Sequence, residues 1–118
     1  VAADKPLRND IKIGTVYPIF KGAAGKIFGA YLADFKDTDM SADESSQIRN
    51  DGYVVTRGNR VPDAASIAVP IFSFGNKLEA VMTISGPIGD YTEERVNEYL
   101  SVMIALGQTI SEHMGATL

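Results

Sequence analysis

From Ser66 to Tyr91 the chain reads SIAVPIFSFGNKLEAVMTISGPIGDY, two apolar runs on either side of a short polar break. In the first run Ala68, Pro70, Phe72 and Phe74 fall on one parity, and Ile67, Val69, Ile71 and Ser73 on the other. Apolar residues on both parities predict a central strand covered on two sides. Pro70 has no backbone N–H to donate, so it requires a bulge or a position without a ladder hydrogen bond. Gly75-Asn76 tolerates the positive φ that a tight hairpin loop needs. The return strand, Leu78 to Ser85, sets Leu78, Ala80, Met82 and Ile84 on one side and Val81, Thr83 and Ser85 on the other. Hydroxyls in that apolar context fit ordinary β propensity and the wall of a pocket equally well. Ser85-Gly86-Pro87 closes the strand, and the rest of the chain is expected to pack on this hairpin.

Towards the start, Leu7, Asn9, Ile11 and Ile13 alternate with Arg8, Asp10 and Lys12, the pattern of a half-buried strand. Tyr17-Pro18-Ile19-Phe20 is an extended lead into the next element, since the residue before proline avoids the helical region. Gly22 to Ala33 is helical by composition, with Ile27, Phe28, Tyr31 and Leu32 on one stripe. Gly25 and Gly29 weaken that helix unless something packs closely against them. Its unpaired N–H groups at Gly22 to Gly25 suit an anion, or a side-chain cap or water. Asp34 to Met40 reads as a polar linker. Ser41-Ala42-Asp43-Glu44 has capping-box spacing for a helix to about Asn50, which Gly52 stops. Tyr53 to Thr56 is a strand, and the loop from Arg57 to Asp63 carries Gly58, Asn59, Arg60 and Pro62, with Asp63 as a surface turn residue. Asp90 or Thr92 can cap the last helix, where Glu93 and Glu94 favour the first turn. Val96, Leu100, Met103, Gly107, Ile110 and Met114 give it one continuous face towards the sheet. Tyr99, Val102 and Leu106 widen the apolar surface beyond that face, towards another subunit or a segment outside the chain. His113, the sole histidine, reads as a surface residue.

A length of 118 residues with 45% apolar content supports one domain, residues 1–118, and not two. No stretch is long and apolar enough to span a membrane, and the Val1 end lacks the features of a signal peptide. With no cysteine there are no disulfides and no thiolate sites, which fits a cytoplasmic location. A net charge of −4 argues against a nucleic-acid-binding surface on this chain. Gly25-Lys26 fails as a phosphate-binding loop, because Phe20 occupies the first glycine position and Ile27 the hydroxyl position. Ser85 is not in a nucleophile elbow, since Thr83 and Pro87 occupy its glycine positions. Metal ligation has no cluster at ligand spacing. No catalytic residue, metal site or cofactor is identified.

Four separated pieces carry a resemblance: D-K-P-L-R at Asp4 to Arg8, Y-P-I-F-K-G-A-A-G-K at Tyr17 to Lys26, I-R-N-D-G-Y at Ile48 to Tyr53, and I-A-V-P-I-F followed by I-S-G-P. In this order and spacing they resemble the C-terminal effector-binding domain of the IclR family of bacterial transcription regulators. The resemblance implies an α+β fold, an antiparallel sheet flanked by helices of the GAF-like or profilin-like type, around a small-molecule pocket. It also implies that a winged helix-turn-helix DNA-binding domain, a linker helix and the first part of the effector domain precede Val1, so the chain is expected to be a fragment. Carried over residue by residue, the effector contacts fall at Ala23, Ala24, Thr56, Ala64, Ser66, Thr83 and Ser85. Three departures bear on the ligand: Asp63 stands where the family often has glycine, the family often has an acidic residue near Asn59, and Thr56 aligns with an acidic pocket residue of some members.

The expectation is therefore a small-molecule-sensing regulatory domain that binds a small organic acid or aromatic catabolite and modulates operator binding. The resemblance implies a homodimer or homotetramer that meets DNA only through the N-terminal domain and does not contact a membrane. The alternatives are a ligand-free oligomerisation module and a small α+β enzyme, the latter lacking a base beside a nucleophile.

Overall fold

A computed structural model of the chain describes residues 22–32, 40–58 and 62–117. The expected strand at Leu7 to Ile13, the lead at Tyr17 to Phe20, most of the linker after Asp34 and the loop residues Asn59 and Arg60 lie outside the described residues.

The hairpin is the centre of the fold. Strands β1 (Val54–Arg57), β2 (Ala64–Phe72) and β3 (Leu78–Pro87) form an antiparallel sheet in the order β1-β2-β3. Ile67, Ala68 and Val69 in the middle strand are all buried, as a run apolar on both parities requires. Pro70 is accommodated because the β1 ladder ends at the Val54–Ala68 pair, short of Pro70. The turn at Phe74–Asn76 uses positive φ at Gly75 (78°) and Asn76 (54°), as the loop chemistry demanded.

Helices α1 (Ala23–Tyr31) and α2 (Ala42–Asp51) lie on one face of the sheet, and α3 (Glu93–His113) on the other. Ser41 caps α2 by accepting the Glu44 N–H at 3.1 Å, and Gly52 ends it in the left-handed region with its N–H on the Ile48 carbonyl. Thr92, of the two candidates, caps α3 by accepting the Arg95 N–H, while Asp90 lies 3.8 Å from the Arg95 guanidinium. Complete burial of Ile27, where α1 meets the sheet, and of Ile67, under α3, contributes roughly 1.5–3 kcal/mol per side chain.

Two expectations about facing are corrected. Leu78 joins Val81 on the α1 side rather than Met82 and Ile84 on the α3 side. The register jumps from the Ile71–Ala80 pair to the Phe72–Leu78 pair, and skipping Glu79 inverts the parity of Leu78. Along α3, Val96, Met103 and Gly107 are buried and Leu100 is half-buried, but Ile110 and Met114 are exposed. Ser111 takes their place, one four-residue step after Gly107. Its Oγ accepts the Phe72 N–H at 2.9 Å, satisfying a backbone donor beyond the end of the β1 ladder. Gly107 permits the approach, since a Cβ there would lie 3.3 Å from Val69 Cγ2.

Candidate functional site

Cross-strand partners share a face of a sheet, and so do residues two apart on one strand. The register aligns Thr56 with Ser66 and Ser66 with Ser85, so three hydroxyl residues form one row across all three strands. Val54, Ala68 and Thr83 form the next row on the same face, and Ala64, opposite Pro87, lies on the far side of the hydroxyl row. All five strand residues singled out by sequence are thus brought onto one face. It is the face that α1 covers, because Ala23, Ile27 and Ala30 share a core with Val54 and Ala68.

The hydroxyls differ in surroundings. Ser66 Oγ and Ser85 Oγ are 2.8 Å apart, either able to donate to the other. Thr56 is buried, Ser66 and Ala64 are half-buried, and Thr83 and Ser85 are exposed. Ala23 is buried in the core and Ala24 half-buried, so what Ala23 can offer a ligand is its backbone N–H. Gly22 holds the N-cap position of α1 in an extended conformation without a side-chain cap, and the first turn has no acidic residue. A helix start of that kind favours negative charge.

Sequence reasoning missed an ion pair beside this face. Lys26 Nζ lies 2.7 Å from Glu44 Oε1, tying α1 to α2. Both residues line an open concavity of about 410 Å³ together with Thr56, Ile48, Asp51 and Tyr53. Ser66, Thr83 and Ser85 are not among its walls, so of the expected residues it draws in Thr56. In the sequence Lys26 stands out only through Gly25-Lys26, the pair that fails as a phosphate-binding loop. Its partner is distant in sequence, and the capping-box spacing assigned Glu44 a local role, so no signal in the pattern joined them. Arg49 ties the same two helices at the other end of α1, donating to the Ala30 carbonyl at 2.8 Å, where a cation complements the helix C-terminus.

A smaller concavity of about 180 Å³ lies where β2 passes beyond β1, lined by Tyr31, Pro70, Phe72, Gly107, Gln108 and Ser111 among others. Tyr31 meets Phe72 edge to face at 5.3 Å. Burial raises the Tyr31 phenol above its ordinary pKa although Arg49 opposes the shift, which keeps the hydroxyl protonated at neutral pH. Asp63 is an exposed turn residue whose carbonyl accepts the Ile88 N–H, as its position before the central strand suggested. Among the described residues no three His, Asp or Glu side chains gather as a metal site would require. No helix of the described residues is long and apolar enough to cross a membrane.

Comparison with known proteins points the same way. Residues 35–112 match the family model for the bacterial transcriptional regulator IclR C-terminal region. The chain is 26% identical over 128 aligned residues to the HTH-type transcriptional regulator KdgR of Escherichia coli strain K12, covering 92% of this chain and 49% of KdgR. It therefore spans about half the length of that curated relative. An IclR-family regulator structure from Rhodococcus superposes with a TM-score of 0.75 at 25% identity, covering 95% of this chain and 49% of that one. The crystal structure of the C-terminal domain of E. coli KdgR matches at TM-score 0.69 and 25% identity, covering 98% of this chain and 85% of that one. These relatives are transcriptional regulators, not enzymes, and their structures share the α+β arrangement of an antiparallel sheet flanked by helices.

Proposed function

The chain belongs to the IclR C-terminal family of bacterial transcriptional regulators, and on that premise we propose that it is the effector-sensing domain of a DNA-binding regulator acting in the cytoplasm. The effector is a small organic acid or aromatic catabolite. Its anionic group docks at the N–H groups of the α1 start, at Ala23 and Ala24, and the hydroxyls of Ser66, Thr83 and Ser85 orient the rest. Thr56 and Ala64 complete the wall.

The observation that carries this reading is the row Thr56, Ser66, Ser85, with Thr83 beside it, on the face that α1 covers. Several hydroxyls at register positions on one otherwise apolar face supply oriented donors and acceptors, the arrangement a polar small molecule needs. Thr83 and Ser85 are exposed, so a ligand can reach them.

Operator contact belongs to an N-terminal winged helix-turn-helix domain. KdgR is named as an HTH-type regulator, and half of its length lies outside the match. Effector binding alters DNA affinity to the extent that the two DNA-binding arrangements of the regulator, a homodimer or homotetramer, differ in effector affinity.

A thermal-shift screen of the intact regulator against small carboxylates, hydroxy acids and aromatic acids tests the reading. A ligand at one hundred times its Kd stabilises the folded state by about 2.7 kcal/mol, so a true effector raises Tm in a concentration-dependent way. A flat screen, or a hit that the Thr83→Val and Ser85→Ala variants bind unchanged, overturns the assigned site.

A further inference from the structure

The concavity of about 180 Å³ beyond the end of β1 lies apart from the hydroxyl row. Pro70, in its wall, is four residues along β2 from Ser66, about 13 Å at the rise of a strand. The wall joins four elements: Tyr31 is the last residue of α1, Asp51 the last of α2, Pro70 and Phe72 belong to β2, and Gln108 and Ser111 to α3.

The polar groups gathered there favour positive charge. Two helix C-termini converge on the cleft, and the aligned peptide dipoles make each such end partly negative. Asp51 adds a full negative charge, and no other described residue in the wall is charged. Gln47 Nε2 donates to that carboxylate at 2.8 Å, which leaves it further acceptor sites. The Pro70 carbonyl faces Gly107, where a Cβ would stand 3.6 Å from it, and β1 has no residue paired opposite. Ser111 Oγ spends one lone pair on the Phe72 N–H and keeps another.

The protein's own cations do not fill this need. Arg49 is not in the wall, and its guanidinium is committed to the Ala30 carbonyl and, at 3.2 Å, to Ser46 Oγ. The rest of the wall is apolar. Tyr31 and Phe72 set two rings edge to face, with Val69 and Ile104 beside them, and an aromatic ring attracts an ammonium group as well as an apolar body. A cavity of roughly 150 Å³ admits a benzene ring, so the cleft has room for one ring or a short alkyl chain.

We propose that this cleft binds a small organic cation, an ammonium group carried on a single ring or a short alkyl chain, at a site separate from that of the effector. The ammonium is held by Asp51 at the C-terminus of α2, and the apolar body rests against Tyr31 and Phe72. The Pro70 carbonyl and Ser111 Oγ serve any further donor on the ligand. The two ends of α1 then take opposite charges: an anion at Ala23 and Ala24 under the function proposed above, and a cation beyond Tyr31.

Ligand-observed NMR on the intact regulator, with benzylammonium as the probe, tests the site. The expected result is line broadening with a Kd of about millimolar order, the affinity open to so small a molecule. Benzyl alcohol, with the same ring and no charge, binds about tenfold more weakly, and Asp51→Asn removes that difference. Asp51 is exposed and asparagine keeps an acceptor for Gln47, so circular dichroism and Tm of the variant match the parent. Gln108 is also exposed, and substitutions there set the local charge without touching Asp51. Gln108→Glu tightens benzylammonium binding, and Gln108→Lys, which brings its own ammonium to the cleft, abolishes it. No broadening, equal affinity for benzylammonium and benzyl alcohol, or a benzylammonium Kd unchanged by Asp51→Asn and Gln108→Lys overturns the proposal. Benzoate provides the separate arm: it reports on the start of α1, responds to Ser85→Ala and not to Asp51→Asn, so either site can fail without the other.

Discussion

The two faces of the sheet are built to different rules. Under α3 the core is made of large side chains, Ile67, Val69, Tyr91, Val96 and Met103, with Tyr91 and Tyr99 edge to face at 5.6 Å. Under α1 alanines make up half of the buried cluster, Ala23, Ala30 and Ala68 beside Ile27, Ile48 and Val54, and the same face carries Thr56, Ser66, Thr83 and Ser85. Small residues let a helix sit close to a sheet, but they bury little apolar area each. On this count more of the stability is expected from the α3 face, and the α1 face carries the hydroxyl row on which the proposed effector site rests. A surface that binds and releases a ligand is drawn from the less densely packed part of a domain.

The most direct way to break this comparison is Ile67→Ala. The side chain is completely buried beneath α3, and its truncation leaves a cavity as well as losing transfer free energy. The expected loss is about 2–5 kcal/mol, read from the urea midpoint at constant m. Should it cost no more than Ser66→Ala on the other face, the assignment of stability to the α3 side is wrong.

Ser111→Ala comes next. This hydroxyl accepts the Phe72 N–H and is almost fully buried, so its removal orphans a backbone donor. The expected cost is about 1–3 kcal/mol, with faster amide exchange at Phe72 as the local signature. Unchanged exchange at Phe72 would show that another acceptor satisfies that donor.

Ser111 also marks a limit of what could be read from the pattern. Two strands around Gly75-Asn76, a middle strand covered on both sides, the Ser41 cap and the Gly52 stop all follow from local chemistry, and the structure has them. The facing of α3 was legible up to Gly107. Beyond it the sequence offers Ile110 by hydrophobicity and Ser111 by position, and the choice is made by an unpaired strand N–H that no helical pattern records. Leu78 was misplaced for a similar reason, because skipping one residue in the β3 register inverts parity and nothing local announces it. At the candidate site the resemblance supplied the residues, and the register then set the five strand positions on one face. The Lys26–Glu44 pair was not legible, since its partners are far apart in sequence and each had a sufficient local explanation.

Lys26→Met examines that pair. The amine is mostly buried but Glu44 is more than a third exposed, so solvent screens the interaction and the loss is at most about 1 kcal/mol. The expected result is a small drop in Tm that shrinks as salt is raised. A loss as large as that of Ile67→Ala would mean that the ion pair, and not packing, holds α1 on the sheet.

Ser85→Ala has the smallest expected effect on stability and sharpens the comparison most. Ser85 is exposed and among the described residues its Oγ bonds the half-buried Ser66 hydroxyl, which can turn to water when its partner is gone. The expected cost in the absence of ligand is therefore about 0.5 kcal/mol or less. On the effector the expectation is the reverse. A ligand oriented by the hydroxyl row loses a hydrogen bond made inside a partly desolvated site, and affinity falls by about tenfold, which corresponds to roughly 1.4 kcal/mol. Titration calorimetry of parent and variant, set beside their urea curves, separates the two quantities. If Ser85→Ala lowers stability as much as affinity, the hydroxyl row is part of the core. If it lowers affinity alone, the face under α1 holds its polar groups for the ligand, and the asymmetry between the two faces is functional.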